Sequence, residues 1–117
     1  MYVYVISNPA FEGWLKVGKT KDVHERLQRF KTFSPYPYTL EFMVEFDDDR
    51  PIHNKLQAQG YERSQEWFKA ELSDVRRVIL ETVDEWKEGN IQEIDGASAR
   101  HSSGKFQAQV ISQLHAL

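Results

Sequence analysis

Four residues of this chain have types suited to one kind of chemistry: Tyr4, Lys16, Arg26 and Glu66. Hydrolysis of a phosphodiester needs an activated water, groups that neutralise charge growing on the phosphate, and usually a divalent cation. A phenol can orient or deprotonate the water, and a nearby ammonium would favour its ionised form. A guanidinium meets a phosphate oxygen with a rigid fork. A lone carboxylate suits Mg2+, which often takes only one or two from the protein. Each residue also has a plainer reading. Tyr4 fits the core of a strand, Lys16 an exposed strand position, Arg26 a helix edge where its stem is buried, and Glu66 an ordinary loop. Spacing alone leaves the choice open.

The elements that must position them come in quick succession. Residues 2–7, YVYVIS, are β-branched and aromatic and read as a strand, with Tyr2, Tyr4 and Ile6 on one face and Val3 and Val5 on the other. Asn8-Pro9 signals a turn and Gly13 closes a short loop, so residues 14–19 return as an antiparallel partner. Tyr4 and Lys16 then share a face. Gly18 marks a place where backbone or ligand must come close. Asp22 is a good N-cap, Glu25 resembles the far half of a capping box, and Val23, Leu27 and Phe30 recur at helical spacing. Arg26 falls at i+3 of that stripe, toward the core edge, where an arginine needs a partner or a purpose.

Further on, residues 34–38, SPYPY, make a stiff extended connection. Residues 39–46 alternate, with Leu40, Phe42, Val44 and Phe46 on one side and Glu41, Met43 and Glu45 on the other, which predicts a half-exposed third strand. Pro51 and Gly60 bracket a second helix with Ile52 and Leu56 inside. Residues 61–68 read as irregular. Ser73 caps a third helix with the stripe Leu72, Val75, Ile79, Val83 and Trp86, which Gly89-Asn90 should stop. The expected organisation is one domain over 1–88, then 89–117 as a polar linker ending in a short helix. That helix, over 106–117, is expected to fold back or to contact a second copy or another protein.

Composition sets the bounds. The chain has 117 residues, 40% of them apolar, enough for one real core. Cysteine is absent, which excludes disulfides and thiolate metal sites. Met1 leads straight into an apolar strand, and no run of the sequence is long and apolar enough to span a membrane, so a cytoplasmic protein is expected. Net charge is -3, but residues 1–38 hold six bases against three acids, and the remainder nine against fifteen. A basic N-terminal third can meet phosphates.

Taken together, the string resembles the GIY-YIG nuclease superfamily. Val3-Tyr4, with Tyr2 in the first glycine slot, stands where GIY stands, and Lys16-Val17-Gly18 stands where YIG stands. The run from Gly18 to Leu27 matches the family's glycine, short cap and arginine-bearing helix. Ser7-Asn8-Pro9, the KVGKT segment, His53 and Glu66-Trp67-Phe68 look most like the branch found in phage T5-type hypothetical proteins. The resemblance implies an α/β fold of the α+β type, with a small three-stranded antiparallel sheet flanked by helices. It also implies DNA cleavage dependent on Mg2+ or Mn2+. By that likeness Tyr4 is the general base or water-orienting group, Arg26 steadies the scissile phosphate and Glu66 holds the metal. Lys16, in the slot of the YIG tyrosine, assists the base or contacts a phosphate. His53 shuttles protons, binds phosphate, or is bonded to backbone at a helix edge; His24 is a weaker candidate for the same roles. Three positions depart from the pattern: Tyr2 replaces a glycine, Lys16 replaces the YIG tyrosine, and Phe30 falls where homing enzymes carry a histidine. The competing expectation is a non-catalytic nucleic-acid- or protein-binding module on the same scaffold, which the acidic second half of the chain and the missing tyrosine in the YIG slot favour.

Overall fold

The computed structural model describes residues 1–93. In order they form β1 (Tyr2–Ser7), a 3-10 turn (Pro9–Phe11), β2 (Trp14–Thr20), α1 (Val23–Phe30), β3 (Thr39–Glu45), α2 (Arg50–Ala58), β4 (Glu62–Ser64), β5 (Trp67–Lys69) and α3 (Leu72–Glu93). The strands make one sheet in the order β3-β1-β2-β5-β4, every neighbouring pair antiparallel.

The α+β class agrees with the sequence, but the sheet has five strands instead of three. The two additional strands are three residues each and lie in the stretch expected to be irregular. Three residues are too few to show a period of two. Pairing with β2 and burial of Phe68 hold this hairpin in place.

Each face of the sheet has its own core. On one, Val3, Val5, Val17, Phe42, Val44 and Phe68 pack against Ile52 and Leu56 of α2 and Val75, Val78, Ile79 and Val83 of α3. On the other, Tyr4, Ile6, Leu40 and Met43 pack against Val23 and Leu27 of α1. The even alternation expected of β3 is broken. The β1–β3 register shifts between Val5 and Ile6, so Val5 faces Phe42 while Ile6 faces Leu40. Leu40 therefore joins the α1 side, away from Phe42. Met43, expected in solvent, is buried beneath α1.

α3 begins at Leu72, one residue before the expected cap, and continues through Gly89 to Glu93. One helical glycine costs about 1 kcal/mol, too little to stop an established helix. The helix expected over 106–117 lies outside the described residues. Among the described residues, no helix is long and apolar enough to cross a membrane.

Candidate active site

The β1–β2 ladder sets Tyr4 opposite Gly18 and Ile6 opposite Lys16. Directly opposed residues share a face, so Tyr4 and Lys16 both project to the α1 side. Gly18 is required by close approach. A Cβ there would lie 2.6 Å from Tyr4 Oη and 2.7 Å from Cζ, so the phenol passes directly over this backbone.

Arg26 arrives from the third element. Asp22 caps α1, its carboxylate accepting the Glu25 N–H at 3.0 Å. Glu25 does not complete a capping box; it pairs with Arg29 at 2.6 Å, while the Asp22 N–H donates to Thr20 Oγ1 at 3.3 Å. With Val23 and Leu27 turned inward, Arg26 sits half-buried at the rim of the α1 core. Its charge reaches Tyr4.

The Arg26 guanidinium acts on the phenol by its charge and, less strongly, through a hydrogen-bond contact. That contact is not well formed: Tyr4 Oη and Arg26 Nε are both buried and neither has a partner in good hydrogen-bond geometry. Each such group costs about 1–3 kcal/mol relative to a satisfied one. Burial pushes the Tyr4 phenol up to about 12, the guanidinium of Arg26 opposing and the carboxylates of Glu66 and Asp49 reinforcing the rise. The phenol acidified by an ammonium, expected from the sequence, is not what this packing produces, because desolvation dominates. Lys16 instead points its ammonium at Glu66, Nζ to Oε1 2.7 Å, and lies 5.7 Å from the Phe30 ring centroid.

Glu66 is carried by the two-residue turn between β4 and β5. Gln65 there takes φ 55°, uncommon for a residue with a side chain. Its carbonyl accepts from Arg63 Nε at 2.6 Å. The Glu66 carbonyl accepts the Val17 N–H at 2.9 Å, tying the turn to β2 beside Gly18. Strand, helix and edge turn thus bring Tyr4, Arg26, Lys16 and Glu66 to one region of one sheet face.

A family model for the T5orf172 domain matches residues 1–88. The chain belongs to the T5orf172 domain family. Neither the curated proteins nor the solved structures include a match.

Within this T5orf172 domain, His53 is not gathered with the other four. α2 holds it in the opposite core, its ring 5.4 Å from that of Phe68. Its Nε2 donates to the Val17 carbonyl at 2.7 Å, which requires the proton on that nitrogen. β5 pairs with β2 only over Trp14 to Lys16, so His53 takes the carbonyl that the ladder leaves next. The structure thus gives His53 a bracing position one residue from Gly18. His24 is exposed on α1.

One residue escaped the sequence reading. Asp49 is buried at the start of α2, its Oδ2 3.8 Å from His53 Nε2, and its charge acts on Tyr4. In the sequence it is only the last of three aspartates after β3, and the signal was its place just before Arg50-Pro51, where a helix begins.

Metal binding by the T5orf172 domain has a narrow basis. Among the described residues no three His, Cys, Asp or Glu side chains cluster as a metal site. Glu66, its side chain 43% exposed, is the one carboxylate of the expected set. That donor set still fits Mg2+, which keeps several waters and is commonly held by one or two carboxylates plus substrate phosphate. The two unpartnered atoms beside it, Tyr4 Oη and Arg26 Nε, are what a site awaiting polar ligands would show.

Proposed function

We propose that this domain is a metal-dependent endonuclease of the GIY-YIG type, hydrolysing phosphodiester bonds in DNA. The observation that carries the reading is the pair of orphaned buried polar atoms, Tyr4 Oη and Arg26 Nε, beside the Lys16–Glu66 ion pair. A structure that served packing alone would fill those positions with apolar groups. Membership of the T5orf172 family supports a nuclease-type role.

The residues divide the work as follows. Glu66 would hold Mg2+ or Mn2+, which supplies Lewis-acid stabilisation of charge on the phosphate. Arg26 offers its guanidinium to a non-bridging phosphate oxygen and gains the partner it lacks. A phenol held neutral to about 12 is a poor base near neutral pH, so Tyr4 orients the attacking water by hydrogen bonding. With Glu66 holding a metal, Lys16 would be free to make a second phosphate contact.

The test is plasmid cleavage in Mg2+ or Mn2+. Wild type should nick DNA, and Arg26→Ala and Glu66→Ala should each lose about 100-fold or more. Full activity in both variants would refute the site. The closed state of this cluster, with Tyr4 fully buried and Glu66 engaged, favours a second reading: a binding module without catalysis. Calorimetric titration with Mn2+ separates them, since heat that vanishes in Glu66→Ala belongs to the enzyme.

A further inference from the structure

α1 covers only part of the sheet face it packs on: its core is made with β1 and β3. Over β2, β5 and β4 the same face opens into a cleft of about 400 Å³ lined by Ala10, Phe11, Glu12, Trp14, Ser64 and Trp67. Register explains its composition. Trp14 faces Lys69 and Lys16 faces Trp67 across β2 and β5, and Ser64 faces Trp67 across β4 and β5. Opposed residues share a face, so Trp14 and Trp67 stand on one side of the sheet with Lys16, which is paired to Glu66, and with Lys69, which has Glu62 opposite it. Phe11, from the 3-10 turn, stands edge-on to Trp67, centroids 5.3 Å apart at 70°, and is itself 44% exposed.

Aromatic rings gathered in a cleft, with a lysine on a strand position beside it, are the composition that binds unpaired nucleobases. Bases stack on the rings, and the phosphates that join them meet the exposed Lys69 ammonium. A continuous duplex has its base faces already stacked and cannot use such a cleft. The volume lies within the roughly 300–1,000 Å³ usual for small-ligand clefts. Continuity with the candidate active site runs through Lys16, which is cross-strand partner to Trp67 and ion-pair partner to Glu66. Ser64 and Glu12 stand in the lining with a hydroxyl and a carboxylate for the polar edge of a base.

We propose that this cleft stacks an unpaired nucleobase adjoining the phosphate at Arg26, so that the substrate is a single strand or a splayed end. Its place beside a scissile bond rests on the hydrolytic reading; the stacking itself does not. Full-length protein is titrated, in chelator, with a labelled oligothymidylate, a blunt duplex of equal length, and a strand whose bases are replaced by abasic sites. The natural strand should quench tryptophan emission and bind about tenfold tighter than either of the others. Trp67→Ala should lose about tenfold for the natural strand and nothing for the abasic one. Should Trp67→Ala fold poorly, Phe11→Ala, on an exposed turn, should lose severalfold in the same selective way. Equal affinity of wild type for natural and abasic strands overturns the proposal, whether or not DNA is cut. Base-dependent binding that survives unchanged in both variants also overturns it, by placing the base elsewhere. Base-dependent binding lost in the variants, with no metal-dependent cleavage, upholds the platform and removes the hydrolytic reading.

Discussion

The two faces of the sheet solve different problems. Between the sheet and α2–α3 the core is apolar, and its buried polar side chains are braced: His53 by the Val17 carbonyl at 2.7 Å, Thr82 by the Val78 carbonyl at 2.7 Å, and Asp49 3.8 Å from the His53 ring nitrogen. Beneath α1, the core contains a phenol and a guanidinium with unmet hydrogen bonds. One side is built to hold, and the other gives up stability to keep polar groups available. The contrast suggests that stability and function can be damaged separately by choosing the face.

The largest effect should come from the α2–α3 side. Phe42→Ala removes a fully buried ring and should cost about 3–5 kcal/mol in denaturant unfolding, with cleavage lost only as the protein unfolds. Arg26→Ala should do the reverse, lowering cleavage about 100-fold while the thermal midpoint holds or rises. An Arg26→Ala protein that melts as early as Phe42→Ala would erase the contrast. Gly18→Ala crosses both properties. Its methyl group must displace the Tyr4 ring, so about 1–3 kcal/mol of stability and most of the activity should go together.

Tyr4→Phe sharpens the comparison further. Removing an unsatisfied buried hydroxyl should raise stability by about 1 kcal/mol while abolishing the water-orienting contact. The sign with pH follows from the raised phenol, which stays neutral to about 12 in the fold but would ionise near 10 when unfolded. Wild type should therefore weaken as pH climbs from about 10 to about 12, and Tyr4→Phe should weaken less. The smallest effect belongs to Asp48, whose carboxyl the Arg50 side chain holds at about 2. This group stabilises above its unfolded value near 4, and the gain is lost as pH falls toward 2. Asp48→Asn should cost roughly 0.5 kcal/mol near neutral pH and nothing in strong acid, as read by thermal melts.

The sequence showed the first hairpin, the register of α1 and the placement of Arg26 because each rests on local signals: alternation, a cap, a helical stripe. It could not show the β1–β3 register shift, which flips Leu40, because nothing in the strand itself marks a bulge. β4 and β5 were invisible because they exist by pairing with β2, not by pattern. The site divided in the same way. Tyr4 and Lys16 shared a face by counting, whereas the position of Glu66 needed a contact 50 residues along the chain. One expectation ran against the physics of burial: the phenol rises instead of falling. For His53 the backbone-bonded alternative is the one the fold shows, its ring bracing the Val17 carbonyl.

The turn that presents Glu66 has a further consequence. On its β4 side, all three residues are exposed, and the strand's pairing is with β5 alone. Such an edge can fray while the two cores remain intact. Heating should then silence the protein before it melts, with turnover falling at temperatures where circular dichroism still reads as native. The working range of the molecule would be set by its thinnest strand.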